Sequence, residues 1–180
     1  DWSSDVCSSD LPEIRTHLTD MWTTLSERPR GVRDESPQNL HLTVAFLGEV
    51  EQSKIQILSA LIARATERPP RGSFSVEGFE TFPRKNPTLV IANINREDGV
   101  PWKPYIEKLR DMVSVVAPQV DRKPWIPHIT IARSNKSTAL PVWSHSFKRI
   151  TWQPTELSLI MSESTKNGSK YTDLNIFPLS

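Results

Sequence analysis

Two short stretches place a threonine two residues after a histidine within an apolar run: His41-Leu42-Thr43-Val44 and His128-Ile129-Thr130-Ile131. Unperturbed imidazole titrates near pH 6.5, so around neutrality one ring can give a proton while another takes one. Two rings flanking one substrate group suit general acid–base catalysis, each transfer contributing about 10²–10⁴ in rate. A hydroxyl beside each ring can donate to an oxygen that gathers charge in a transition state. Strand side chains alternate between faces. His41, Thr43 and Ala45 are therefore expected on one face, with Leu42, Val44 and Phe46 in the core. His128, Thr130 and Ala132 repeat the pattern against Ile129 and Ile131.

Chance predicts roughly 0.3 matches to His-x-Thr in a chain of this composition. A third match, His17-Leu18-Thr19, lies in a helical pattern, where a two-residue step separates side chains by about 200°. His17 is read as a helix-surface residue, and His145 as a loop or strand-edge residue. Taken singly, His41 or His128 reads as a half-buried histidine bonded to a backbone carbonyl. The repeat in two strand settings favours a shared task. A zinc site is the competing chemistry, but neither motif has a further ligand on its face, and catalytic zinc usually takes three. No GxSxG elbow, P-loop or GxGxxG occurs, which removes the signals for serine-hydrolase and nucleotide-binding chemistry.

The elements that must position these residues follow from hydrophobic spacing. Helices are expected from Pro12 to about Leu25, over 55–65, and from Pro101 to about Val116. Strands are expected over 40–47, 73–82 with a bulge at Gly78, 88–95, 128–133, 147–152, 156–163 and 171–177, the last two joined by an Asn167-Gly168 turn. This order is α+β with antiparallel pairing and helices packed outside the sheets. The chain of 180 residues carries 37% hydrophobic residues and six tryptophans, enough for a packed domain. A net charge of +1 gives no global polyanion signal. The single cysteine, Cys7, excludes an internal disulfide framework. No apolar run of membrane-spanning length appears, and a cytoplasmic, monomeric protein is expected.

Residues 1–10, "DWSSDVCSSD", are Ser/Asp-rich and lack usable periodicity. They are read as a non-native or disordered head, with residues 11–180 forming a single domain. A well-packed strand there would refute that reading.

The paired motifs, with "PQNLHLTVAFLGEV", "GFETFPRKNPTLVIANI", "RKPWIPHITIAR" and "LSLIMSESTKNGSKYTDL" around them, resemble the 2H phosphoesterase superfamily. The flanks resemble its RNA 2′,3′-cyclic phosphodiesterase branch, also called 2′-5′ RNA ligases. The resemblance runs from about Leu11 to Leu179. It implies a bilobal fold of two antiparallel sheets around a cleft. It implies metal- and cofactor-free opening of 2′,3′-cyclic phosphate at RNA ends to a 2′-phosphomonoester. His41 would be the acid, His128 the base, and Thr43 and Thr130 the phosphate holders. Arg133 joins them only if its strand ends or twists there. Trp125 is a candidate for stacking a base, and Arg28, Arg30 and Arg33 either line a groove for the RNA end or are simply solvated. Small cyclic nucleotides, 2′-5′-linked oligonucleotides and a non-catalytic RNA-binding module are the alternatives. The family's apolar first strand is absent before Leu11-Pro12, so an open sheet edge is expected.

Overall fold

A computed structural model describes residues 2–8, 11–135, 138–166 and 168–179. Nine strands and three α-helices follow one another as β1 (Trp2–Ser8), α1 (Pro12–Thr24), β2 (Val32–Asp34), β3 (Leu42–Gly48), α2 (Ile55–Ala65), β4 (Phe74–Phe82), β5 (Leu89–Ile94), α3 (Trp102–Ser114), β6 (His128–Ser134), β7 (Ser144–Trp152), β8 (Glu156–Thr165) and β9 (Gly168–Pro178). Among the described residues, no helix is long and apolar enough to cross a membrane.

The helices form where apolar residues recur at helical spacing. Leu58 and Ile62 of α2, and Ile106, Leu109 and Val113 of α3, are buried in the same core as Ile14, Leu18 and Trp22 of α1. Trp22 anchors α1, its ring meeting Phe79 edge-on at 5.6 Å and Trp143 at 6.2 Å. Such pairs contribute about 0.5–1.5 kcal/mol beyond their buried area.

The strands pair antiparallel in the order β7-β4-β5-β6-β3-β1-β8-β9, with β2 alongside β6. The expected α+β architecture is therefore present, but its two sheets are the halves of one. Among the described residues, the halves β7-β4-β5-β6 and β3-β1-β8-β9 are paired strand to strand only at Leu42 opposite Ile129. So short a seam lets the halves splay, which is the physical content of the two-sheet expectation. The bulge expected in β4 is present, with register shifts beside Gly78. A Cβ on Gly78 would lie 2.6 Å from the His145 carbonyl oxygen, so only glycine allows that approach. The β8–β9 hairpin pairs Thr165 with Gly168; Asn167 of its expected turn lies outside the described residues.

The reading of residues 1–10 requires correction. Trp2–Ser8 is no disordered head but an inner strand between β3 and β8, so the expected open edge is filled and the domain includes it. Val6 and Cys7 are fully buried. The strand nonetheless conflicts with its own sequence, because the Ser4 hydroxyl and Asp5 Oδ1 are buried without a hydrogen-bond partner. Backbone pairing on both sides holds in place a segment that hydrophobic spacing does not reveal.

Candidate active site

The seam between the halves is where the two histidine motifs meet. In an antiparallel pair centred on Leu42 and Ile129, stepping one residue along each strand brings His41 level with Thr130, and Thr43 level with His128. Level residues share a face. The four polar side chains thus surround the apolar pair on the face opposite to it. Leu42 and Ile129 are fully buried, while both histidines and both threonines are half-buried. Burial of each apolar partner contributes about 1.5–3 kcal/mol, and a one-residue slip would turn the histidines into the core.

Each ring is held by the same local device. His41 Nδ1 lies 2.6 Å from the Asn39 carbonyl oxygen, and His128 Nδ1 lies 2.8 Å from that of Ile126. A carbonyl oxygen only accepts, so Nδ1 carries the hydrogen in both rings. The nitrogen left to exchange protons is Nε2 in each. An aromatic ring braces each imidazole: Tyr171 of β9 meets His41 edge-on at 4.9 Å, and Phe82 of β4 stacks on His128 at 5.5 Å.

Strict alternation fails after the fourth residue of each motif, in the same way in both. β6 inserts Ile131 between Thr130 (opposite Ile91) and Ala132 (opposite Val90). β3 inserts Val44 between Thr43 (opposite Cys7) and Ala45 (opposite Val6). A bulge of this kind shifts the alternation by one. Ala45 and Ala132 are therefore fully buried instead of sharing the histidine face. Phe46, expected in the core, is 44% exposed. Arg133 returns to the face of His128 and Thr130. The condition set for it, a twist in the strand, is met by the bulge.

Arg133 Nε lies 2.5 Å from Glu35 Oε1, and the Glu35 side chain is only 11% exposed. The Glu35 backbone N–H donates to the Ile131 carbonyl at 2.8 Å, pinning the carboxylate against the bulge. The pair sets the local field. Burial lowers both imidazole pKa values below their ordinary value, and the Arg133 guanidinium lowers both further. At His41 the Asn39 carbonyl and the Glu35 carboxylate oppose this while the Arg15 guanidinium adds to it, whereas at His128 the Ile126 carbonyl alone opposes it. The two rings thus differ in their charged neighbours: His41 has the Glu35 carboxylate and the Arg15 guanidinium in addition to Arg133.

Trp125 is placed as a brace between the motifs. Its Nε1 donates to the Thr43 carbonyl at 2.9 Å, and its ring meets Phe74 of the core at 6.2 Å. It also lines a cavity beside α3 with Ile106 and Arg110. Trp125→Phe should keep the fold while loosening the β3 and β6 motifs. The expected result is a fall in kcat of several-fold, since one such bond contributes about 0.5–1.5 kcal/mol. Single-turnover kinetics at saturating substrate checks it, and an unchanged kcat would remove Trp125 from the account.

His17 is exposed on α1, and His145 lies on the edge strand β7. Arg28 lies over the Trp22 ring at 5.1 Å and pairs with Asp34 at 3.3 Å, so it is engaged away from the histidines. Spacing alone missed Glu35, Tyr171 and Phe82, which arrive through pairings distant in sequence. It also missed Phe46, although a repeated His-apolar-Thr-apolar-Ala pattern with alanine at the same step was a usable signal for the shared bulge.

The 2′-5′ RNA ligase superfamily model matches residues 11–166. A Thermotoga maritima protein named RNA 2′,3′-cyclic phosphodiesterase is 34% identical over 122 residues, covering 67% of this chain and 64% of that protein. A Thermus thermophilus protein of the same name is 33% identical over 180 residues, covering 94% of this chain and 86% of its own length. A crystal structure of the Thermus thermophilus protein TT0787 superposes with a TM-score of 0.82 at 27% identity, over 98% of this chain and 97% of that one. With a family match that spans most of its length and contains both histidine motifs, the chain belongs to the 2′-5′ RNA ligase superfamily.

Proposed function

We propose that this protein hydrolyses 2′,3′-cyclic phosphate at RNA ends to the 2′-phosphomonoester, using His41 as general acid and His128 as general base. The observation that carries the reading is the register that surrounds Leu42–Ile129 with two histidines and two threonines. The names of its relatives supply the substrate. Water loses a proton to His128 Nε2 as its oxygen bonds to phosphorus. The bond from phosphorus to the 3′ oxygen breaks, and His41 Nε2 gives that oxygen its proton. Thr43, Thr130 and Arg133 hold the non-bridging oxygens, where charge-assisted bonds strengthen as negative charge builds. The assignment of acid and base is the one the family resemblance implies, and the Glu35 carboxylate supports the charged form that an acid at His41 requires.

The test is an RNA oligomer ending in 2′,3′-cyclic phosphate, incubated with the protein in EDTA. Turnover to a 2′-phosphate is expected. A 3′-phosphate product, or loss of turnover in EDTA, would overturn the mechanism.

The field also makes a pH prediction. With both imidazoles lowered from the ordinary 6.5, the limb of kcat/KM on which the acid loses its proton should lie at lower pH than an unperturbed imidazole would give. Glu35→Gln removes a carboxylate that raises His41 and leaves Arg133 unneutralised. Both changes act in one direction, so the alkaline limb of kcat/KM should move to lower pH. A limb that stays in place would remove Glu35 from the acid's environment.

A further inference from the structure

We propose that the groove beside His41, lined by Arg33, Asn39, Ser169, Lys170 and Tyr171, takes the phosphates of the RNA strand that precedes the terminal nucleotide; this rests on the acid and base roles proposed above. The groove has a volume of about 520 Å³. Tyr171 belongs both to its lining and to the His41 ring contact, so the groove lies next to the acid.

The direction of the strand follows from the displacement. Attacking and leaving oxygens lie roughly in line on opposite sides of phosphorus. The leaving 3′ oxygen belongs to the terminal ribose, so that ribose and everything joined to its 5′ oxygen lie on the side of His41. The charge of the two sides agrees. Arg33 is level with Arg133 across β2 and β6, and so projects from the same face. Its guanidinium reaches the hairpin tip, where a Cβ on Gly168 would lie 3.6 Å from Arg33 Cζ. Two carboxylates also line the groove, but both are engaged. Asp34 accepts from Trp22 Nε1 at 2.8 Å and pairs with Arg28, and Glu35 holds Arg133. Among the described residues, neither Arg33 nor Lys170 is in an ion pair. Asn39 Nδ2 donates to the Ser169 carbonyl at 2.9 Å, fixing the hairpin against the segment that carries His41.

The opposite side is unlike it. Asn93 is level with His128 and lines a pocket of about 240 Å³ bordered by Glu77, Glu80 and Asn95; Glu77 is engaged by Arg149, and among the described residues Glu80 is in no ion pair and no lysine or arginine belongs to the lining. That side offers a polyanionic strand the Glu80 carboxylate and no cation in the lining, whereas Arg33 and Lys170 attract it.

The test compares an RNA trimer ending in 2′-phosphate with a nucleoside 2′-monophosphate, by calorimetric titration at several salt concentrations. The parent protein should bind the trimer on the order of tenfold more tightly, which is about 1.4 kcal/mol. In the double variant Arg33→Gln/Lys170→Gln, the ratio should fall towards one. The slope of log affinity against log salt should drop by about 0.7 for each lost phosphate contact. Equal binding of both ligands by the parent, or a ratio that survives the double substitution, would overturn the groove assignment. Both ligands are products, so the result does not depend on turnover. Turnover of a nucleoside 2′,3′-cyclic phosphate, followed separately, reports on the catalytic reading alone.

Discussion

His41→Ala and His128→Ala should each lower kcat on RNA ending in 2′,3′-cyclic phosphate by about 10²–10⁴. The size follows from the task. Each ring presents Nε2 because its Nδ1 is committed to a carbonyl two residues back. Alanine removes the imidazole that, in the proposed mechanism, moves the proton on its side of the seam. Neither variant should unfold, since Leu42 and Ile129 hold the strands from the other face and remain in place. In the proposed mechanism both transfers belong to one displacement, so the double variant should lose little more than the worse single one. His17→Ala is the control. It alters the third His-x-Thr match, which is exposed on α1, and should leave kcat unchanged. Rapid-quench single-turnover assays separate these losses from product release. Retention of kcat within tenfold by either histidine variant would dissolve the two-histidine mechanism.

The parts of the site that could be read in advance are those governed by local period. Alternation correctly put His41 with Thr43, and His128 with Thr130, opposite buried Leu42 and Ile129. It failed one step later, at Ala45, Phe46, Ala132 and Arg133, because a bulge is a property of two paired strands and has no local period. The supporting groups were hidden for a related reason. Glu35 follows a strand of three residues, Val32–Asp34, too short to show alternation. Tyr171 reaches His41 from the last strand, and Phe82 reaches His128 across β5. The helices were legible almost to the residue, since their buried positions recur within one element. β1 was not, because what places it is pairing with β3 and β8, and its own composition argues for something else.

That conflict predicts a stability that falls as pH rises. Asp5 lies in the interior strand β1, 6% exposed, with Phe46 and Ile160 level on either side and Oδ1 without a partner. Burial pushes its carboxyl up from 3.8 to about 7. The folded chain therefore keeps a proton that the unfolded chain releases above its ordinary carboxyl value. The sign is the reverse of a salt-bridged carboxylate: the contribution is complete below about pH 4 and is lost as pH rises through about 7. The full swing is about 4 kcal/mol, a large share of the 5–15 kcal/mol that holds a domain of this kind together. Urea unfolding of the parent should show much of that loss between pH 5 and pH 8. Asp5→Asn keeps the size and removes the charge, so its stability should lack this part of the pH dependence and exceed the parent's at pH 8. Asp5→Val also removes the unpaired polar atoms and adds a β-branched side chain suited to an inner strand, so it should be the most stable of the three at every pH. The comparison isolates Asp5 from other groups that titrate over the same range, because those are common to all three proteins. If parent and Asp5→Asn lose stability in parallel from pH 5 to pH 8, the proton is not on Asp5, and β1 does not bury that side chain between β3 and β8.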